Sequence, residues 1–154
     1  MNFTFEVFEK TRGFFKIFLD QLSLDELNKI PSGYNNNIIW NIAHIIATEQ
    51  VLIYKLSGVP MLVSDDFVNA YKKGSKPEAD VTQEDVNLIK ELLTETAKQT
   101  KINYDNNAFV NFPEYTPETT GTTIHDIDEA LTFVLFHEGL HLGIVKSLLK
   151  SVKL

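Results

Sequence analysis

Cysteine is absent from this sequence of 154 residues. Without cysteine the chain can form no disulfide bond, carries no cysteine nucleophile and offers no thiolate to a metal ion. Any reaction or metal site in this protein must therefore depend on other side chains.

Basic residues are also scarce, since 14 Lys and Arg stand against 21 Asp and Glu and give a formal net charge of −7. The basic residues are scattered, and no positive stripe exists that could neutralise phosphates. The same charge disfavours docking on an anionic lipid surface. We therefore expect neither nucleic acid nor a membrane among the partners.

Long apolar runs are missing as well. No stretch approaches the ~18 apolar residues of a membrane span. The opening MNFTFEVFEK has neither the basic start nor the apolar run of a secretory signal. These absences predict a cytoplasmic protein. The length and an ordinary apolar share of 44% predict a single domain, residues 1–154.

Four long segments show the three- and four-residue spacing of apolar residues that is typical of amphipathic helices. The second follows the asparagine run 35–37, which supplies good N-cap residues, and continues to Leu56. It is apolar nearly all round, which predicts the most buried helix of the fold. The first covers about residues 3–22, with apolar positions at Phe5, Phe8, Phe15, Phe18, Leu19 and Leu22.

The third and fourth helices carry start signals. Thr82 and Asp85 form a variant of the capping box, which predicts a helix from there to about Tyr104. The fourth helix is predicted from Thr123 to about Lys150, with an acidic residue, Asp126, three positions after its start.

Two long connections separate these helices. Residues 59–81 join the second and third helices and contain DDFVNAYK, which can form a short turn of helix, and residues 105–122 join the third and fourth. Connections of this length are often functional or cover a site. The segment LDELNKIPSG breaks the pattern after the first helix. The predicted fold is all-α, a four-helix bundle with long connections between helices 2 and 3 and between helices 3 and 4.

Three of the four histidines are predicted to point into the core. His137 and His141 are four residues apart, so on an ideal helix they lie about 40° from each other, within the apolar arc of the fourth helix. His44 falls on an apolar stripe of the second helix. His125, in the first turn of the fourth helix, is predicted to project the other way and to lie near solvent.

Each buried histidine has two interpretations. A single one is most often a core residue that bonds a neighbouring group. Three unpaired buried imidazoles would be costly, however, because each has a donor and an acceptor to satisfy. A metal ion relieves that cost by taking one lone pair from each ring. Three histidines also form the protein part of an open, catalytic type of metal site.

The segment FHEGLHLG, residues 136–143, contains H-E-x-x-H, a signature of zinc metalloproteases. Residues 142–154 hold no His, Asp or Glu, so a third ligand must come from upstream, where His44 is the best candidate. The chain also lacks a convincing sheet to hold an extended peptide, and these two features disfavour a protease. Glu138 is interpreted either as a carboxylate beside the metal ligands or at the rim of the core, or as a general base for metal-bound water.

With this order of helices, Trp40-x-x-x-His44 and His137-x-x-x-His141-x-Gly143 resemble the DinB-like family, described as metal-dependent hydrolases. The likeness covers essentially the whole chain. In that family three histidines bind a divalent metal, usually taken as nickel or zinc, inside an up-up-down-down-like four-helix bundle. The resemblance therefore implies that His44, His137 and His141 are the ligands here.

One departure from the family pattern concerns the substrate. Members often have Arg-Gly-Gln after the last histidine, whereas this chain has Leu142-Gly143-Ile144. The loss of two polar residues does not affect the proposed ligands. It does weaken any inference about substrate contacts.

The resemblance implies an activity only by class. The better understood relatives are transferases or isomerases that use low-molecular-weight thiols, so a metal-dependent transferase or hydrolase acting on a small molecule is expected. The alternative is a non-catalytic bundle that binds a metal or a small ligand, which an open coordination position would distinguish from an enzyme. Family members commonly form homodimers, and the aromatic first helix offers either a face for one or ordinary core packing.

Overall fold

The computed structural model describes residues 1–153. In this range the chain is helical, and its extended pairing is one antiparallel bridge between Tyr115 and Ile124. The predicted all-α class is confirmed. The helical elements are α1 (Asn2–Gln21), α2 (Leu24–Asn28), α3 (Ile38–Glu49), a π-helix (Gln50–Lys55), α4 (Asp65–Tyr71), α5 (Gln83–Asp105) and α6 (Ile127–Val152).

The capping box predicted for the third long helix is present at the start of α5. The Thr82 hydroxyl accepts from the Asp85 N–H at 3.2 Å, and the Asp85 carboxylate accepts from the Thr82 N–H at 2.7 Å. The short helix predicted within DDFVNAYK is also present, as α4. These helices begin where a side chain satisfies backbone N–H groups that have no partner inside the helix.

The predicted start of the fourth long helix at Thr123 is wrong. Ile124 pairs with Tyr115 through two backbone hydrogen bonds of 2.8 and 2.9 Å, which hold this stretch extended. The helix begins at Ile127, and Asp126 is its N-cap, because the Asp126 carboxylate accepts from the Glu129 N–H at 2.9 Å. His125 therefore precedes α6 and does not lie in its first turn.

The segment predicted to break the helical pattern after α1 contains the short helix α2. Ser23 and Glu26 form a complete capping box, in which the Ser23 hydroxyl accepts from the Glu26 N–H at 3.2 Å. The Glu26 carboxylate in turn accepts from the Ser23 N–H at 2.8 Å. The S-x-x-E pattern was a usable signal for this helix.

Helix α3 is the most enclosed element, as its composition predicts. All of its residues except Thr48 are buried, and it packs against α4, α5 and α6. After Glu49 the chain continues directly as the π-helix, which ends at Lys55. Helix α1 packs against α5 and α6. The functional side chains therefore reach the interior from several helices at once.

Helix α1 divides its aromatic residues between the core and the surface. Phe5, Phe8 and Phe15 are at most 2% exposed, so core packing accounts for them. Phe3 and Phe14 are 77% and 54% exposed and lie on the outer face of the same helix. None of the helices in the described residues is both long and apolar enough to cross a membrane.

Candidate metal centre

Three histidines meet at the contact between α3 and α6. His44 comes from α3, and His137 and His141 come from successive turns of α6. One nitrogen from each ring can be chosen so that the three lie within 4.8 Å of one another. The ring centroids are 4.5 to 5.1 Å apart. The predicted convergence of these side chains is observed. Local sequence spacing gave no indication that His44 would lie beside the other two.

Three groups contact the His44 ring. Its Nδ1 lies 2.6 Å from the Tyr71 carbonyl oxygen at the end of α4. Because a carbonyl oxygen can only accept, Nδ1 carries the proton and Nε2 keeps its lone pair. Trp40 stacks on the ring with centroids 4.7 Å apart and planes 10° apart, and the Thr48 hydroxyl lies 3.4 Å from Nε2.

His141 and His137 differ in what supports them. The Nδ1 of His141 lies 2.9 Å from Oδ1 of Asn41, which is on α3. The Nδ1 of His137 is buried and has no hydrogen-bond partner among residues 1–153. Phe133 stacks beside the His137 ring, with centroids 6.3 Å apart. A hydrogen bond at Nδ1 thus orients the His44 ring and the His141 ring, whereas His137 keeps an unpaired Nδ1.

Burial keeps all three rings neutral. Each is 6% to 8% exposed. Loss of solvent lowers the pKa of His44, of His137 to about 4, and of His141 to about 3, and the neighbouring histidines add to the shift at His137 and His141. At neutral pH the cluster therefore presents lone pairs, which is the form that a metal ion requires.

The fourth histidine lies apart from this cluster. His125 is 57% exposed at its side chain, and its Nδ1 lies 3.0 Å from the Glu129 carboxylate. The prediction that it lies near solvent is confirmed, although it precedes α6.

A family model described as the DinB superfamily matches residues 8–145, a range that includes all three clustered histidines. The chain belongs to the DinB superfamily. The resemblance inferred from the Trp-His and His-His spacings is thereby confirmed. A comparison with curated proteins found no match.

In this DinB-superfamily chain, Glu138 does not lie at the rim of the core, which was one of the positions predicted for it. It is fully buried, and its Oε1 lies 2.5 Å from Nε of Arg12. Burial raises the pKa of Glu138 to about 8, although the charge of Arg12 opposes the shift. The Glu138 carboxyl is therefore hydrogen-bonded to α1 through Arg12.

Arg12 joins Glu138 to a second buried carboxylate that the sequence did not reveal. Its Nη2 lies 3.0 Å from Oε2 of Glu49, and Thr96 and Thr100 of α5 donate to the same Glu49 carboxylate. Arg12 occupies a position in the apolar stripe of α1, between Phe8 and Phe15. A charged residue at such a position was the available signal for a buried ion pair.

Two cavities of this DinB-superfamily chain are lined by residues that contact the clustered histidines, although no histidine lines either cavity. One of about 440 Å³ is lined by Trp40 and Tyr71, which hold His44, and by residues of the segment 75–81. The other, of about 470 Å³, is lined by Phe133 and Phe136 of α6 and by residues of the segment 120–126. Each of the two long connections predicted from the sequence therefore lines a cavity. In each cavity, at least one lining residue also contacts a clustered histidine.

Proposed function

We propose that this protein binds one divalent metal ion through His44, His137 and His141. The observation that carries the proposal is the burial of three neutral imidazoles with nitrogens within 4.8 Å of one another. The donor set fits a metal ion. The proton on Nδ1 of His44 and of His141 leaves their Nε2 lone pairs for a metal, although the Thr48 hydroxyl lies 3.4 Å from that of His44. His137 has a buried Nδ1 with no hydrogen-bond partner among residues 1–153.

The proposed metal is nickel or zinc. Imidazole nitrogen suits both ions, and the cluster adds no thiolate, because the chain has no cysteine. The group has three members in the described residues. Three protein ligands leave a coordination position for water or a substrate, as in catalytic sites.

We propose further that the protein is a metal-dependent enzyme of the thiol-transferase or hydrolase type, acting on a small molecule. When bound, the metal would polarise a low-molecular-weight thiol or a water molecule. The chain's own residues would orient the ligands. Tyr71 and Trp40 hold His44, and Asn41 holds His141. Phe133 beside His137 would keep bulk water from that side of the site.

Glu138 has a narrower part in this proposal than a general base. Its Oε1 is bonded to Arg12, whereas its Oε2 is buried and has no partner among residues 1–153. We assign it to holding the α6 backbone beside His137 through Arg12, which also bonds Glu49 near the end of α3. A proton transfer by Glu138 would require the second oxygen to reach the substrate.

The alternative function is a non-catalytic bundle that binds a metal or a small ligand. Full enclosure of the metal would favour it. The candidate group has three histidine members in the described residues, and three protein ligands would leave a position for water or a substrate, which favours an enzyme.

The proposed setting is a cytoplasmic homodimer. The exposed face of α1, defined by Phe3, Phe14 and Ile17, is the candidate surface, because these three side chains are 47% to 77% exposed. Burying them against a second copy would remove apolar area from water.

The metal content of purified variants tests the proposal. The wild type is expected to retain about one divalent ion per chain, because three imidazoles hold an ion far better than two. His44→Ala, His137→Ala and His141→Ala are each expected to lose it, with zinc or nickel affinity lower by at least about 100-fold in titrations of the metal-free protein. His125→Ala is the matched control and keeps wild-type affinity.

Near wild-type affinity in folded His44→Ala would reject the three-histidine site. A second measurement separates the enzyme from the alternative. L-Cysteine added to the cobalt-loaded protein is expected to produce a sulfur-to-cobalt charge-transfer band, since an open position would accept the thiol. A spectrum that neither cysteine nor azide changes would favour the closed, non-catalytic site.

A further inference from the structure

Asn41 lies on α3, one turn before His44, and its side chain is fully buried against α6. Its Oδ1 contacts Nδ1 of His141 at 2.9 Å across 100 positions of sequence. A buried amide beside a metal-ligand candidate is costly unless its donors and its acceptor are all used. The partners of Asn41 therefore decide which way it faces.

The other hydrogen bonds of Asn41 fix its orientation. Its Nδ2 donates to the Asn37 carbonyl oxygen at 2.8 Å and to Oδ1 of Asn36 at 2.9 Å. The Asn37 carbonyl can only accept, so the NH₂ group must face it, and the amide oxygen must face His141. An oxygen acceptor there requires the proton of His141 on Nδ1 and leaves the lone pair on Nε2.

Two more asparagines hold the segment on which Asn41 depends. The side chain of Asn37 caps α3 by accepting from the Trp40 N–H at 2.9 Å, and it donates to the Asn28 carbonyl at 3.0 Å. The side chain of Asn28 in turn pairs with both backbone groups of Val81, at 2.9 and 3.0 Å. This chain of amides ties α2 and the segment before α5 to the start of α3.

We propose that Asn41 is the positioning residue of His141: it fixes the Nδ1–H tautomer and the ring orientation that leave Nε2 free for the metal. The purpose of this arrangement rests on the proposed function. His137 supplies the contrast, because its Nδ1 has no partner in residues 1–153 and nothing there sets its tautomer. Groups that orient a ligand in this way commonly contribute 10- to 100-fold to metal affinity.

A purely structural role for Asn41 makes a different prediction. In that case its replacement lowers stability and leaves the His141 tautomer and the metal affinity unchanged. Thermal denaturation alone cannot distinguish the two roles, so the test measures the tautomer directly.

Long-range ¹H–¹⁵N spectra of the metal-free protein report the tautomer of each histidine, and the chain has four. We expect Nδ1–H at His141 in the wild type and loss of that tautomer in Asn41→Leu, which has no acceptor. Zinc affinity in Asn41→Leu should be lower by roughly 10- to 100-fold. Asn41→Asp keeps an acceptor oxygen, so it should keep the tautomer and most of the affinity, although its second oxygen faces the Asn37 carbonyl.

Tyr54→Phe is the matched control. It removes a buried hydroxyl that bonds Thr100 and Asn103, in a different part of the core. It should lower stability and leave both the tautomer and zinc affinity unchanged. If Asn41→Leu does not fold, Asn41→Ser replaces it, because the shorter hydroxyl does not reach His141.

Retention of the Nδ1–H tautomer with unchanged zinc affinity, in a folded Asn41→Leu or Asn41→Ser variant, would overturn the inference. Failure of the proposed function looks different. A wild type that binds no zinc, but whose His141 tautomer still depends on Asn41, would refute the metal site and support the positioning role.

Discussion

At the scale of single residues, Arg12, Glu49 and Glu138 form a buried group of ionisable side chains. All three are at most 3% exposed. Taking such charges out of water is expensive, and mutual attraction compensates only when each partner is present. Glu49 accepts from Arg12, Thr96 and Thr100, so its carboxylate is well solvated by the protein. Arg12 has contacts on both sides and is the residue on which the group depends.

Arg12→Met is therefore expected to destabilise the protein by about 3–5 kcal/mol, because it leaves a buried carboxylate without its cation. The measurement is the free energy of unfolding in urea. Lys16→Met is the control on the same helix. Lys16 pairs with Asp20 at the surface, with 44% and 41% of the two side chains exposed, and exposed pairs contribute about 0–1 kcal/mol. Equal losses in the two variants would contradict the importance of the buried group.

The residues show what sequence reasoning can reach. The i, i+4 spacing of His137 and His141 sufficed to place both on the buried side of one helix. His44 needed the packing of α3 on α6, which the family resemblance supplied. The hydrogen-bond partners of the clustered histidines, such as Asn41 and the Tyr71 carbonyl, were not predicted, because their contacts span 100 and 27 positions of sequence and follow no local period.

At the scale of elements, helix starts account for much of what the sequence predicts and for what it misses. The start of α5 was predicted because its first residues carry both halves of a capping box. The start of α6 was placed too early, since the pairing of Ile124 with Tyr115 competes with helix formation there. That pairing joins residues nine apart across a turn, and helical periodicity carries no information about it.

Thr82→Ala is expected to destabilise the protein by about 1 kcal/mol, since it removes the side-chain acceptor for the Asp85 N–H at the start of α5. Chemical denaturation measures the loss. Thr132→Ala is the control. Thr132 is exposed inside α6, and its hydroxyl only donates to a backbone carbonyl one turn earlier. Helix propensity favours alanine at that position, so a loss there as large as that in Thr82→Ala would contradict the capping argument.

At the scale of the whole molecule, the histidine cluster links folding to pH. A histidine whose pKa is lowered by folding stabilises the protein above its unfolded pKa, near 6.5, and that contribution is lost as the pH falls. For His137, with a folded pKa of about 4, the loss falls between about pH 6.5 and pH 4. Glu138 acts in the opposite sense. Its raised pKa of about 8 makes folding less favourable as the pH rises from about 4.5 to 8.

The metal-free wild type should therefore lose stability relative to His137→Phe as the pH falls from 7 to 4, by about 2–3 kcal/mol. Glu138 titrates in both proteins, so the difference between them reports the histidine cluster, in which His137 also lowers the pKa of His141. Urea denaturation at several pH values measures it. A difference that does not change with pH would mean that His137 is solvated or protonated in the folded protein.

The near-complete burial of α3 has a consequence for how a bound ion would leave. Backbone amides in an enclosed helix exchange with solvent mainly when the whole domain opens, whereas exposed ends exchange through local fraying. His44 is carried by the segment expected to open last, and α6 is anchored beside it through Arg12 and Asn41. Release of a bound ion by local opening of one helix is therefore disfavoured. The residence time of the ion would be set by stepwise ligand replacement or by global unfolding.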